Sequence, residues 1–164
     1  MAADATVILL AERRDLIPRV AQLLSETWPD YYGEDGPGFA QRDATDRARA
    51  DGLPMAVIAL DAASDVIGAG TLADRSFGAK DAEGPWITGL CVTPAARGKG
   101  VATEIVGALC RLCSAHGYVQ VYAATIAAEG LLERCGFRTL RMVNDATGAW
   151  CVMSADLTQE KRPA

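Results

Sequence analysis

Apolar positions along this chain follow two rhythms, and the changes between them mark its elements. Residues 5–10 form a short apolar run that predicts a strand. Leu16, Val20, Leu23, Leu24 and Thr27 then recur at helical spacing, so a helix is predicted over residues 16–28, with Pro18 in its tolerant first turn. Residues 29–38, PDYYGEDGPG, are a loop by their proline, glycine and aspartate content, and a polar helix follows over residues 40–50 until Asp51-Gly52 ends it. Apolar runs at 54–60 and 66–72 flank a polar turn, the pattern of an antiparallel hairpin. Gly68 and Gly70 inside the second run predict a bulge or a close neighbour.

A polar connector over residues 74–84 leads into 86–92, a continuous apolar run of the kind expected for a central strand covered on both faces. Val101, Ile105, Leu109, Leu112 and Ala115 place one apolar stripe on a helix over residues 100–115, and residues 118–124 form the next strand. A strand, a helix and a strand in such short succession predict a right-handed crossover with the two strands parallel. A short helix over residues 126–135 packs through Ala127, Ala128, Leu131 and Leu132 and stops at Gly136. Residues 137–143 and 149–157 close the chain as a hairpin. The expected architecture is a mixed α/β (α+β) fold, a mostly antiparallel sheet of six or seven strands with about four helices.

Composition narrows the partners. The 164 residues suit one domain over residues 1–157, with residues 158–164 as a disordered tail. Sixteen basic against twenty-one acidic residues leave a formal charge of −5, which opposes binding to nucleic acid. No run approaches the roughly 18 apolar residues of a membrane span, and the first residues lack a basic leader with an apolar core, so a cytoplasmic protein is expected. Five cysteines, an odd number scattered through apolar segments, read as reduced thiols. Cys110, Cys113 and His116 lack the further ligands of a zinc site, so no metal is expected, and His116 reads as the cap of a helix end. The last strand, residues 149–157, is expected at an exposed edge open to a second copy, which leaves monomer or homodimer.

Chemistry concentrates in residues 89–102, GLCVTPAARGKGVA. Here an apolar strand runs through a glycine-containing loop into the first turn of a helix, whose unpaired N–H groups and partial positive charge suit an anion. Gly98 and Gly100 remove side chains that would block the approach, Ala102 keeps the next position small, and Arg97 and Lys99 add positive charge. The spacing is neither that of a P-loop nor that of a dinucleotide fingerprint.

Arg97-Gly98-Lys99-Gly100-Val101-Ala102 matches Gln/Arg-x-x-Gly-x-Gly/Ala, and in this the sequence resembles the GCN5-related N-acetyltransferase family. Leu90-Cys91-Val92 is similar to that family's fourth strand, and residues 128–137, ending in Gly136-Phe137, to its later helix. The resemblance implies an acetyl-CoA cosubstrate and an amine acceptor. It implies that backbone groups around Leu90, Cys91 and Val92 pair with the pantetheine amides, that residues 97–103, Arg97 to Thr103, hold the pyrophosphate, and that an N–H near Leu90 stabilises the oxyanion. It also implies that strands 86–92 and 118–124 splay apart to form the cleft.

One departure concerns proton transfer. The family commonly has a tyrosine where this chain has Leu132, and an asparagine where it has Thr125, whose hydroxyl still suits a contact to the cosubstrate. Tyr122, or one of Tyr31 and Tyr32, is the substitute acid, and Asp74 and Glu83 are the candidate bases. Trp86 and Thr88 are expected to shape the acceptor pocket. Glu26, Asp30, Glu34 and Asp35 surround Trp28, Tyr31 and Tyr32 without a basic residue, which suits a small basic amine or a basic peptide terminus. Pro85-Trp86 is weakly similar to a subgroup that acetylates acidic amino-terminal peptides, which this acidic loop would repel. The alternative reading, supported by Leu132, is a module that binds acyl-CoA without turning it over.

Overall fold

The computed structural model describes residues 4–158. The first apolar run is β1 (Thr6–Leu9), and a 3-10 turn over Leu10–Leu16 carries the chain into α1 (Ile17–Thr27), which turns Ile17, Val20, Ala21, Leu23 and Leu24 inward. The segment expected to be a loop begins instead as a one-turn helix, α2 (Pro29–Tyr32), because the fixed φ of Pro29 suits a first helical position. The polar helix α3 (Ala40–Arg47) follows, held to the core by the small buried Ala44.

The hairpin comes next as β2 (Met55–Leu60) and β3 (Val66–Ala73), then β4 (Trp86–Val92). The crossover helix α4 (Val101–Ala115) leads to β5 (Gln120–Thr125), and His116 is its C-cap, the place expected from the sequence. Helix α5 covers only Glu129–Arg134, shorter than its pattern suggested, because the Thr125 hydroxyl accepts the N–H groups of Ala127 and Ala128 and holds them out of the helix. Strands β6 (Arg138–Asp145) and β7 (Gly148–Asp156) close the chain.

All seven strands join one sheet in the order β1-β2-β3-β4-β5-β7-β6. Every neighbouring pair is antiparallel except β4 and β5, as the crossover predicted. The expectation that the last strand forms the exposed edge is corrected: Cys151 to Asp156 of β7 pair with β5, and β6 pairs with β7 on its other side. The reason lies in polarity. Cys151 to Ala155 of β7 are all buried, whereas β6 is mostly exposed and takes the edge. Of the expected tail, Thr158 is described, donating to Asp156 through both N–H and hydroxyl. The rest of that tail lies outside the described residues.

Helices α4 and α5 cover one face, packing Val101, Ile105, Leu109 and Leu132 on Met55, Leu72, Val121 and Met153. Helices α1 and α3 cover the other face over β2 and β3 through Val20, Leu24, Ala44 and Ile58. On that second face, nearer β7, the connector between β3 and β4 lies over Trp86, Tyr122 and Val152. Gly68 and Gly70 are the points of closest approach to α4. A Cβ on Gly70 would stand 2.7 Å from Cγ2 of Ile105 and 2.9 Å from Cδ1 of Leu109, both buried. Gly70→Val is expected to cost about 1–3 kcal/mol of stability by overpacking. Urea unfolding checks this as a lower midpoint with an unchanged slope.

All five cysteines are buried, without disulfides. Among the described residues no helix is long and apolar enough to cross a membrane.

Candidate active site

The site begins where the sheet breaks. Strands β4 and β5 pair only at Trp86↔Tyr122 and Ile87↔Ala123, after which they diverge. Opposite them, the β3 register jumps from Thr71↔Thr88 to Ala69↔Cys91, so Gly89 and Leu90 together face Gly70. This is a β-bulge, and Gly89 supplies the positive φ of 61° that it requires. The bulge bends β4 away from β5 and leaves its backbone at Leu90 unpaired with β5.

On one side of the bulge runs a channel of about 620 Å3 along β4 and the start of α4. Leu90, Cys91, Val92, Arg97, Gly98, Gly100, Val101, Ala102 and Thr103 line it, so most of the residues expected to hold the cosubstrate come together. Gly98 (φ 75°) and Gly100 (φ 83°, the N-cap of α4) take left-handed conformations that present the loop and the first helical turn with their N–H groups outward. A Cβ on Gly98 would meet nothing within 4 Å, so the space above the loop is open to a ligand. Arg97 donates its Nε to the Val92 carbonyl at 3.0 Å, which fixes the loop against the end of β4.

Lys99 is exposed and outside the channel wall. Thr125 is not in the channel either; it lines the neighbouring cavity and spends its hydroxyl on the start of α5. Arg134 and Leu131 of α5 do line the channel. Nothing in local spacing pointed to them, because only the tertiary packing of α5 beside α4 brings them there.

On the other side lies a cavity of about 540 Å3. Trp28, Tyr31, Tyr32 and Thr88 line it, as expected of an acceptor site. Glu26, Asp30, Glu34 and Asp35 do not; they are exposed on the outer side of their segment. Asp43 and Arg47 supply the charge instead, one turn apart on α3, and Phe77 and Trp150, with ring centroids 4.9 Å apart, add aromatic wall. Tyr32 donates its hydroxyl to Asp43 at 2.7 Å, and burial followed by that bond pushes its pKa up to about 12. Sequence reasoning passed over Asp43 and Arg47 because a polar helix ordinarily presents such residues to solvent; the signal was the i,i+4 pair beside the inward Ala44 and Ala48.

Besides Lys99 and the four loop acids, four more expected residues lie outside both spaces. Trp86 is fully buried, stacked on Tyr122 at 5.2 Å, with its Nε1 donating to the Glu83 carbonyl. These two rings lie under the connector, and neither lines the cavity. Glu83 is gripped by both terminal nitrogens of Arg141, at 2.6 and 2.9 Å, and that pairing holds its carboxyl down at about 2. Such a group is a poor base. Asp74 is exposed at the end of β3, away from the cavity. Leu132 does line the cavity, presenting an apolar wall where the related tyrosine would stand.

The channel and the cavity share Leu90 and Ala128, so they meet at the bulge. A strand split by a bulge, with an amide-lined loop on one side and a mixed polar-aromatic cavity on the other, defines a group-transfer site. The model of the acetyltransferase (GNAT) family matches residues 17–137, and the chain belongs to that family as an N-acetyltransferase. No curated protein matches the sequence.

Among solved structures, an aminoglycoside 6'-N-acetyltransferase complexed with coenzyme A is similar at 16% identity and a TM-score of 0.75, covering 97% of this chain and 99% of that one. A GCN5-related N-acetyltransferase from Kribbella flavida is similar at 18% identity and a TM-score of 0.74, covering 93% of this chain and 97% of that one. A spermidine N-acetyltransferase chimera from Vibrio cholerae shows 18% identity and a TM-score of 0.69, covering 95% and 97% of the two chains. At such identities the likeness is one of fold.

Proposed function

We propose that the protein transfers an acetyl group from acetyl-CoA to a primary amine by direct attack through a tetrahedral intermediate. The observation that carries this reading is the meeting of channel and cavity at Leu90. The amides of Gly98 to Thr103 suit the pyrophosphate, and the open backbone of β4 suits the pantetheine arm as an added strand. The thioester carbonyl then lies against the bulge, where the Leu90 N–H stabilises the oxyanion.

Direct attack fits better than an acyl-cysteine route. Cys91 is the thiol on the channel wall, and burial pushes its pKa up to about 11, so at neutral pH it is not the thiolate nucleophile. The amine enters from the aromatic cavity. Asp43, the carboxylate on the cavity wall, takes its proton directly or through water, in place of Asp74 and Glu83. With Leu132 unable to donate, water protonates the departing thiolate. The acceptor is a primary amine; an aminoglycoside and a spermidine N-acetyltransferase are among the similar structures. The buried thiols and the acidic balance support a cytoplasmic protein without a nucleic-acid partner.

Two measurements test this. Saturating acetyl-CoA is expected to raise the melting temperature by mass action. Release of CoA thiol is expected with at least one acceptor from spermidine, kanamycin, a basic peptide and the standard amino acids. A raised melting temperature with no thiol release would instead identify a non-catalytic acyl-CoA-binding module, the reading that Leu132 favours.

A further inference from the structure

Arg47 stands against the reaction centre. A Cβ on Gly89 would lie 3.0 Å from its Nη1, so the guanidinium occupies the space that this glycine leaves open beside Leu90. Its side chain is 17% exposed, and what exposure it has opens on the acceptor cavity. Asp43 does not saturate it. The two are 3.6 Å apart, longer than a hydrogen bond, and the same Oδ2 of Asp43 already accepts the Tyr32 hydroxyl at 2.7 Å.

A guanidinium carries five N–H donors in a planar fork that fits a carboxylate through two parallel bonds. Here those donors face a cavity in which Asp43 and Arg47 are the charged wall residues. A polyamine or aminoglycoside would bring only positive charge to this guanidinium, and the acids that would favour such cations are on the outer surface rather than in the cavity. An acceptor with an anion beside its amine meets both charges, its ammonium at Asp43 and its anion at Arg47, while the rest of it lies on Trp28, Phe77 and Trp150.

We propose that the acceptor is an amino-carboxylate, an amino acid or a close relative, whose carboxylate is held by Arg47 while its amine faces the thioester at Leu90. This narrows the acceptor within the acetyl transfer proposed above and rests on it. Arg47 is then the residue that determines specificity.

The test compares kcat/KM for the standard amino acids, for spermidine and kanamycin, and for the carboxamide and the decarboxylated amine of the best amino acid. The wild-type protein is expected to prefer that amino acid over its carboxamide and its amine by about tenfold or more, the effect of losing charge-assisted hydrogen bonds. In Arg47→Gln the ratio of amino acid to carboxamide is expected to fall toward one. The wild-type ratios need no variant to fold, and a thermal melt establishes whether Arg47→Gln does. Equal turnover of amino acid and carboxamide, better turnover of spermidine or kanamycin, or an undiminished ratio in a folded Arg47→Gln would overturn the assignment and leave acetyl transfer standing. No thiol release with any of these acceptors would overturn acetyl transfer itself, and the assignment with it.

Discussion

Gly100→Val is expected to raise the KM for acetyl-CoA roughly 10- to 100-fold, the loss of one or more hydrogen bonds to a charged phosphate. Gly100 is the N-cap of α4 at φ 83°, where a β-branched residue is strained and forces the loop to re-form. The amides of Val101 to Thr103 would then turn away from the diphosphate. Strain also lowers stability, so a second variant separates binding from folding. Ala102→Glu sits in the helical region of the first turn, where a carboxylate is compatible with the helix dipole, yet its side chain enters the channel wall and repels phosphate. A loss of acetyl-CoA affinity in both, with Ala102→Glu retaining the wild-type melting temperature, locates the effect at the ligand. Unchanged KM in both would remove the diphosphate from this loop.

Arg141→Met is expected to cost roughly 2–3 kcal/mol and to loosen the acceptor side of the site, because it leaves Glu83 partly buried and unpaired. Arg141 reaches from the edge strand β6 to both Glu83 oxygens and to the Gly78 carbonyl, tying down the connector that carries Ser76 and Phe77 to the cavity wall. The KM for the amine should therefore rise more than that for acetyl-CoA. The pair also predicts a pH dependence. Pairing with Arg141 lowers the folded-state pKa of Glu83 to about 2 from its ordinary 4.5, so its stabilisation is fully present above about 4.5 and is lost as pH falls toward 2. With allowance for solvent around the pair, about 1–2 kcal/mol is at stake. Urea midpoints at pH 7, 4 and 3 should fall more steeply for the wild type than for Arg141→Met. Parallel curves would show that the ion pair contributes nothing to acid stability.

The chain by itself determined everything that depends on neighbours within a turn or two. Alternation and helical spacing located each strand and the long helices, and the run from Gly89 to Ala102 carried its anion loop openly, because positive-φ glycines and unpaired first-turn amides are local properties. Tertiary structure decided the rest. The insertion of β7 between β5 and β6 is a competition between two late strands for a buried place, settled by side chains distant in sequence. Trp86 and Tyr122 share their strand faces with Thr88 and Ala124, which do line the cavity, but they lie where β4 and β5 are still paired and the connector packs over them. Glu83 was claimed by an arginine from the edge strand, and Asp43 with Arg47 entered the cavity because α3 packs on α1 and sets the Arg47 side chain beside Gly89. A charge becomes part of a site through the low-dielectric wall around it, and that wall is built by contacts between residues far apart in the chain.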